Sequence, residues 1–250
     1  MKEQISGIVL RTVKYGDTGL IVDLFTRHHG RRSFMTTLAR SRIKGGNIAL
    51  LRPLTILSFV SDLSSQRGLP RLSQMQVQVP YTSVPYDPRK SALALFLSEC
   101  LCYALHEQQP DEQLYHYIVH SLRWLDTARC DFSDFHLVFL IRLTRFLGIY
   151  PNVIDLPVTS DAHHPSSAYW FDLQDATFSA TLPPHPYFLT PEETRFLPSL
   201  LRISYSNMRL FRLNRIGRQR ILQQLNLYYS LHVPSFPQLR SIDVLRQVFD

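Results

Sequence analysis

Over the first eighty residues, apolar and polar positions alternate in short runs; beyond them, apolar residues recur at helical spacing. Residues 5–15 read as a strand ending at Tyr15, and residues 20–26 as its hairpin partner across Gly16-Asp17-Thr18-Gly19. In the second strand Val22 and Leu24 flank Asp23, so one face is apolar and the other polar. Arg27-His28-His29-Gly30-Arg31-Arg32 is the next turn, Ser33–Ala39 a third strand, and Arg40–Asn47 a loop carrying Gly45-Gly46. A short apolar run, Ile48–Leu51, leads to a fourth strand at Leu54–Ser61. A fifth is predicted at Leu72–Val79, half-buried because Met75, Val77 and Val79 alternate with Gln74, Gln76 and Gln78. Five short strands in so little chain suit a small closed barrel, and the OB-fold is the five-stranded barrel associated with nucleic acids. The pattern does not give the pairing order.

The three prolines of Pro80–Pro88 end the β region and predict a domain boundary near residue 80. Arg89–His106 is a helix apolar nearly all round and therefore central; Asp111–Asp126 follows, with Leu114, Ile118, Leu122 and Leu125 on one stripe. Ser133–Leu147 is a third helix, with Ser133 as N-cap and Gly148 just past its end. Residues 152–189 lose the helical period, hold five prolines, and predict a hairpin through Trp170–Leu173 and Thr177–Ser179. Thr190-Pro191-Glu192-Glu193 is a helix start; after a break near Tyr205–Asn207, Met208–His232 and Ser241–Phe249 complete the expected elements. The fold class expected is α+β: a five-stranded OB barrel over 1–80, then a mainly helical domain over 81–250 with a small hairpin insertion at about 152–189.

Charge changes this picture more than composition does. Residues 1–52 carry ten Lys/Arg and three acids, and so hold the whole net charge of +7, while residues 53–250 balance seventeen against seventeen. No acid lies between Asp23 and Asp62. The basic side chains gather at turns, where a barrel presents its loops, which points to a polyanion-binding surface. Arg11, Lys14, Arg27, Arg31, Arg32, Arg40, Arg42 and Lys44 are the candidate phosphate contacts. Tyr15, Phe25 and Phe34 are interleaved with them and offer base stacking, with core packing the alternative for each. Six arginines, Arg202, Arg209, Arg212, Arg215, Arg218 and Arg220, form a second acid-free run. Of these, Arg209, Arg212 and Arg220 could share a helix face, and Arg209 and Arg212 join the DNA-binding candidates.

Other chemistries find little support. No phosphate-binding glycine loop, nucleophile elbow or zinc-protease helix motif occurs, and Glu192-Glu193 fit a helix start better than an acid–base pair, so no catalytic residue is assigned. The adjacent pairs His28-His29 and His163-His164, even with His185, lack zinc spacing, so no metal or other cofactor is expected. Cys100, Cys102 and Cys130 read as buried reduced thiols, which suits a cytoplasmic protein. No apolar run is long enough for a membrane span, and MKEQISGIVL has no secretory-leader pattern.

Several blocks together resemble the bacterial DNA repair and recombination mediator family RecO: GIVLRTVKYGDTGLIVDLFTRHHGRRSF, LRPLTILSF, ALALFLSECLCYALHEQQPDEQLYHYIVHSL, FHLVFLIRLTRFLGIYPN and the tail LNLYYSLHVPSFPQLRSIDVLRQVF. The resemblance spans nearly the whole chain, with the first and fourth blocks the most specific. It implies an N-terminal OB-fold on a helical domain, binding of single- and double-stranded DNA, strand annealing, and work with RecR to load RecA onto strands coated by single-strand-binding protein. It also implies a cytoplasmic, nucleoid-associated protein and no enzymatic chemistry. Many members of that family carry a four-cysteine zinc module after the LGIYPN-type block. Val153–Tyr187 holds no cysteine here, so the expectation is a hairpin at WFDLQDATF without the metal.

Two rivals stand beside that reading. A basic OB barrel alone does not choose between DNA and RNA, which competition binding separates. A protein adaptor would work through the helical domain, where an arginine beside an apolar pocket would suit an acidic, aromatic-ended tail such as that of single-strand-binding protein. Arg142 or Arg145, near Phe146, is the candidate there, with ordinary exposed helix arginines the plainer account.

Overall fold

The computed structural model describes residues 2–37, 47–64, 68–105, 109–152, 169–211 and 213–249. Arg40, Arg42, Lys44, Arg212, His163 and His164 lie outside them. By packing, the chain forms two compact units, Met1–Phe132 with Leu239–Asp250, and Ser133–Gln238.

The first unit is built on the strands β1 (Lys2–Tyr15), β2 (Gly19–Thr26), β3 (Gly30–Thr37), β4 (Ile56–Asp62) and β5 (Ser73–Val77), in the antiparallel order β3-β2-β1-β4-β5. The long β1 serves two neighbours: Lys2–Ile8 pairs with β4, and Gly7–Tyr15 pairs with β2 through a register shift between Val9 and Arg11. Such a bulge bends a strand. The open edges then meet, because the Met35 amide donates to Pro70 O at 2.8 Å and the Leu72 amide to Met35 O at 2.9 Å. This parallel bridge of Met35 to Arg71 closes the five strands into the expected OB barrel. Alternate residues of β1 to β4 fill it, among them Val9, Val22, Leu24, Phe34 and Leu57, with Phe34 edge-on to Phe59 at 5.0 Å. Leu51, from a 3-10 turn at Asn47–Leu51, joins that core.

The half-buried pattern predicted for the fifth strand does not hold. Ser73, Gln74, Gln76 and Val77 are exposed, and Met75 alone packs partly on the core. Gln74 sits at φ 50° and the β4–β5 register shifts between Ser58 and Val60, so the alternation read from the glutamines does not map onto two faces.

Helices α1 (Pro88–Ala104), α2 (Glu112–Thr127) and α7 (Ser241–Val248) complete this unit. Asp87 caps α1, accepting from the Arg89 amide at 2.8 Å, and Asp111 caps α2 through the Leu114 amide, also at 2.8 Å. Buried positions run nearly all the way round α1, as its sequence predicts. The chain end returns to α1: the Glu99 carboxylate accepts from the amides of Arg240 (3.1 Å) and Ser241 (2.8 Å) at the start of α7.

The second unit contains α3 (Phe135–Phe146), β6 (Trp170–Asp172), β7 (Thr177–Ser179), β8 (Phe188–Leu189), α4 (Pro191–Thr194), α5 (Leu197–Leu201) and α6 (Arg215–His232). The expected hairpin is present as β6 and β7, and β8 adds a third strand on β6. Asp134, not Ser133, occupies the N-cap of α3, and its carboxylate accepts from Arg218 Nε at 2.6 Å. At the other end Gly148, at φ 70°, lets the Ile149 amide reach back to Thr144 O at 3.0 Å and close the helix. The predicted Met208–His232 helix is two elements, a 3-10 turn at Met208–Phe211 and then α6. Asn214 divides them by accepting from the Gly217 amide at 2.8 Å, which makes it the N-cap of a new helix. Tyr229 anchors α6 on α3, its hydroxyl donating to Leu140 O at 2.8 Å.

Candidate nucleic-acid interface

Strand parity sorts the candidate residues. In β2, Leu20, Val22 and Leu24 enter the barrel, so Ile21, Asp23 and Phe25 face out; in β3, Phe34 is inside and Arg31, Ser33, Met35 and Thr37 are outside. Cross-strand pairing arranges the outer face in rows: Arg11–Asp23–Ser33, then Val13–Ile21–Met35–Arg71, then Tyr15–Gly19–Thr37.

One end of this face is covered by helices. Ile8, Leu10 and Phe25 are buried there, the Ser98 hydroxyl of α1 donates to Leu10 O, and Phe25 lies 6.3 Å from the ring of Tyr115 in α2. Arg31 is the fastening. Its guanidinium donates to Cys102 O and, at 2.8 Å, to Leu105 O, satisfying carbonyls left open at the end of α1. It also reaches Asp23 at 3.4 Å, while Arg11 meets the same carboxylate at 2.8 Å and the Ser33 hydroxyl donates to it at 2.6 Å. Burial opposes ionisation of Asp23, but Ser33 and the two guanidiniums outweigh it and hold the carboxyl below its ordinary range.

The other predicted basic residues differ in what they touch. Arg27 Nε donates to Glu112 at 2.7 Å in a solvent-exposed pair, and Arg32 Nε to His29 O at 3.4 Å. Arg11 keeps half its side chain in water (52% exposed), and Lys14 is exposed at the barrel mouth. The aromatics divide as well: Phe25 and Phe34 are core, whereas Tyr15 is 57% exposed. Arg71 was not singled out from the sequence. Its signal is Leu72, a core residue, which turns its neighbour outward; barrel closure then sets Arg71 beside Met35.

In the second unit Arg209 is exposed on the 3-10 turn, while Arg218 engages Asp134 and Arg220 engages Glu193 at 2.7 Å. Arg209 and Arg220 therefore do not share one helix. Arg145 stacks 4.4 Å over Tyr150 and donates to its hydroxyl at 3.0 Å; Arg142 reaches Ile203 O at 3.5 Å. Neither lines the apolar cavity of this unit, about 480 Å³, whose walls include Ile141, Phe171, Leu189, Leu225, Arg195 and Arg220. Cys100 and Cys102 are buried, but Cys130 is exposed beside Asp131, contrary to the burial expected for all three cysteines. His185 pairs with Asp172 at 3.1 Å. Among the described residues no group of three metal-ligating side chains converges, and no helix is long and apolar enough to cross a membrane.

A basic OB barrel carrying its own helices, on a chain continued by a second, mainly helical unit, defines the class. Residues 1–81 match the family description "Recombination protein O N terminal" and residues 85–241 match "Recombination protein O C terminal". Proteins named DNA repair protein RecO are 42% identical in Bacteroides fragilis and 41% in Phocaeicola vulgatus, each over the full length of both chains. The one from Flavobacterium psychrophilum is 32% identical over the same extent. The chain belongs to the RecO family.

Proposed function

We propose that this chain is a non-enzymatic DNA-binding recombination mediator acting in DNA repair. It binds single- and double-stranded DNA, anneals complementary strands and, with RecR, helps RecA load onto DNA coated by single-strand-binding protein. It works in the cytoplasm, at the nucleoid. The barrel, over about residues 1–80, is the DNA-binding module and residues 81–250 are the helical partner-binding domain. The observation that carries this reading is a +7 segment whose described strands build an OB barrel, with its outer face open at one end among the described residues, in a chain of the RecO family. Annealing follows from electrostatics, since a positive surface that neutralises two strands lowers their mutual repulsion without nucleotide hydrolysis.

Fluorescence anisotropy across a salt series tests it. Affinity for an oligonucleotide is expected to fall steeply with salt, and changing Arg40, Arg42 and Lys44 together to alanine is expected to flatten log K against log salt by roughly 2 for single strands. A flat wild-type plot would remove the assignment. DNA–RNA competition decides against an RNA module.

The cavity of the second unit supports a contact with single-strand-binding protein. An acidic, aromatic-ended tail would place its ring among Phe171, Leu189 and Leu225 and its carboxylate near Arg195 or Arg220. Titrating such a tail peptide against Arg220→Ala, and against Arg142→Ala with Arg145→Ala, locates the contact. Binding unchanged in all three variants would discard the site.

A further inference from the structure

Two stretches of the second unit carry no acid at all, residues 135–154 and 194–242. Side chains from the C-terminal half of α3 and just beyond it join the first stretch to the second. The Tyr150 hydroxyl donates to Leu201 O at 3.4 Å, and Arg142 Nε donates to Ile203 O at 3.5 Å. Leu201 and Ile203 are buried, so Arg202, between these two anchors, is turned outward and exposed. Asn207 fixes the turn that follows, its Oδ1 accepting from the Ser204 amide at 2.7 Å and its Nδ2 donating to Arg202 O at 3.3 Å.

Arg142, Arg145 and Arg202 are thereby gathered on one part of this unit, and among the described residues no carboxylate pairs with any of them. Neutral groups hold two of the three. Arg145 lies 4.4 Å over the Tyr150 ring and donates to its hydroxyl at 3.0 Å, and Arg142 stands 6.0 Å from the Tyr205 ring. Asp134 and Glu193, which bound the acid-free stretches in the sequence, are engaged elsewhere, by Arg218 at 2.6 Å and Arg220 at 2.7 Å. A single exposed arginine calls for no ligand. Guanidiniums braced by aromatic rings and carbonyls keep their charge and most of their N–H donors for an outside anion, and have less rotamer freedom left to lose on binding it.

The chemistry around the three favours a nucleic-acid backbone over an acidic peptide. None of them lines the apolar cavity of this unit, so a peptide would find no pocket there for an anchoring side chain, whereas phosphates need the cations alone. Resting on the DNA-binding reading above, we propose that Arg142, Arg145 and Arg202 form a second phosphate-binding site, outside the barrel, which holds one single strand while the basic barrel segment holds its complement. Two strands carried by one chain meet at the effective concentration of a linked pair instead of their bulk concentration, so annealing is hastened by proximity. Contacts to phosphate carry no sequence information, and base pairing itself supplies the match.

The test titrates the full chain with a short labelled oligothymidylate and follows annealing of two complementary oligonucleotides, one carrying a fluorophore and the other a quencher. Wild type is expected to bind the oligothymidylate in two phases, the weaker with a log K against log salt slope of roughly −2 for three arginines on a single strand. Changing Arg142, Arg145 and Arg202 together to alanine is expected to remove the weaker phase and slow annealing by about tenfold or more, with the tighter phase within about twofold of wild type. Lysine at all three positions keeps the charge and is expected to retain both phases. Arg202→Glu alone, at a side chain with no hydrogen bond or ion pair among the described residues, is expected to weaken the second phase and slow annealing even where the triple alanine variant fails to fold. Unchanged annealing in the triple variant and in Arg202→Glu would overturn the proposal, as would equal weakening of both phases. So would loss of affinity for an acidic tail peptide with annealing intact, which would make the three arginines a peptide site. A wild-type chain that binds no DNA would instead overturn the reading beneath it.

Discussion

Both compact units bury carboxylates against partners, as Asp134 with Arg218 shows in the second, but they differ in one further interior group each. The first buries ions and surrounds them with partners. Asp126 accepts from the amides of Thr82 (2.9 Å), Ser83 (2.8 Å) and Val84 (2.9 Å), and Lys90 beside it donates to Ser83 Oγ and Ala128 O, each at 2.6 Å. Burial works against the Asp126 charge, but the three amides prevail and bring its carboxyl down to about 2. Asp23 is held by two arginines and a serine in the same manner. The second unit instead buries His136 uncharged. Desolvation, reinforced by the Arg218 guanidinium that Asp134 holds nearby, lowers the imidazole to about 3. The first unit's buried Lys90 and Asp126 stay charged, whereas the second unit's His136 stays neutral until strong acid, so acid should separate them.

The sign follows from proton linkage. His136 takes a proton at about 6.5 in the unfolded chain and at about 3 in the folded one. Stability of the second unit is therefore complete above 6.5 and falls by roughly 1.4 kcal/mol for each pH unit below it. Asp126 has its folded value below the ordinary 3.8, so its contribution is intact above about 4 and is lost only as pH falls toward 2. Each unit carries one of the two tryptophans, Trp124 in α2 and Trp170 in β6. Trp124→Phe and Trp170→Phe thus make each remaining indole the reporter of one unit. Between pH 7 and 4.5 the urea transition seen by Trp170 is expected to weaken by about 3 kcal/mol and that seen by Trp124 to hold. Coincident shifts would erase the distinction, and His136→Phe should flatten the Trp170 profile.

How much of this was legible beforehand depends on range along the chain. Short-range chemistry was readable: the Gly16–Gly19 turn, Gly148 past α3, and Thr190 with Glu193, whose carboxylate accepts from the Thr190 amide at 2.9 Å. The charge anomaly of residues 1–52 also pointed to the correct fold class through the strands that carry it. What the sequence lacked was partners distant along the chain. Arg27, Arg31 and Arg32 look alike in a string, yet one meets Glu112, one the last carbonyls of α1, and one a turn carbonyl nearby. Arg71 went unnoticed because only closure of β3 onto the segment before β5 gives it a place. The Met208–His232 stretch has helical spacing throughout, and a single asparagine side chain bonding to Gly217 is enough to restart it.

The arginines of one turn then offer a finer separation within the first unit. Arg31→Ala removes one of two cations from buried Asp23 and uncovers two carbonyls of α1, whose donor cannot be replaced by water without opening the contact. The expected cost is about 2–3 kcal/mol, read by Trp124 alone. Arg27→Ala removes a pair whose side chains are 40% and 49% exposed, so screening and side-chain entropy leave its loss small beside that of Arg31. Only the smaller effect should shrink further in 0.5 M salt, because solvent ions reach Glu112 and do not reach the end of α1. An Arg31→Ala penalty that salt abolishes would make that residue a surface charge after all, free for phosphate, and would move the DNA site toward the helices.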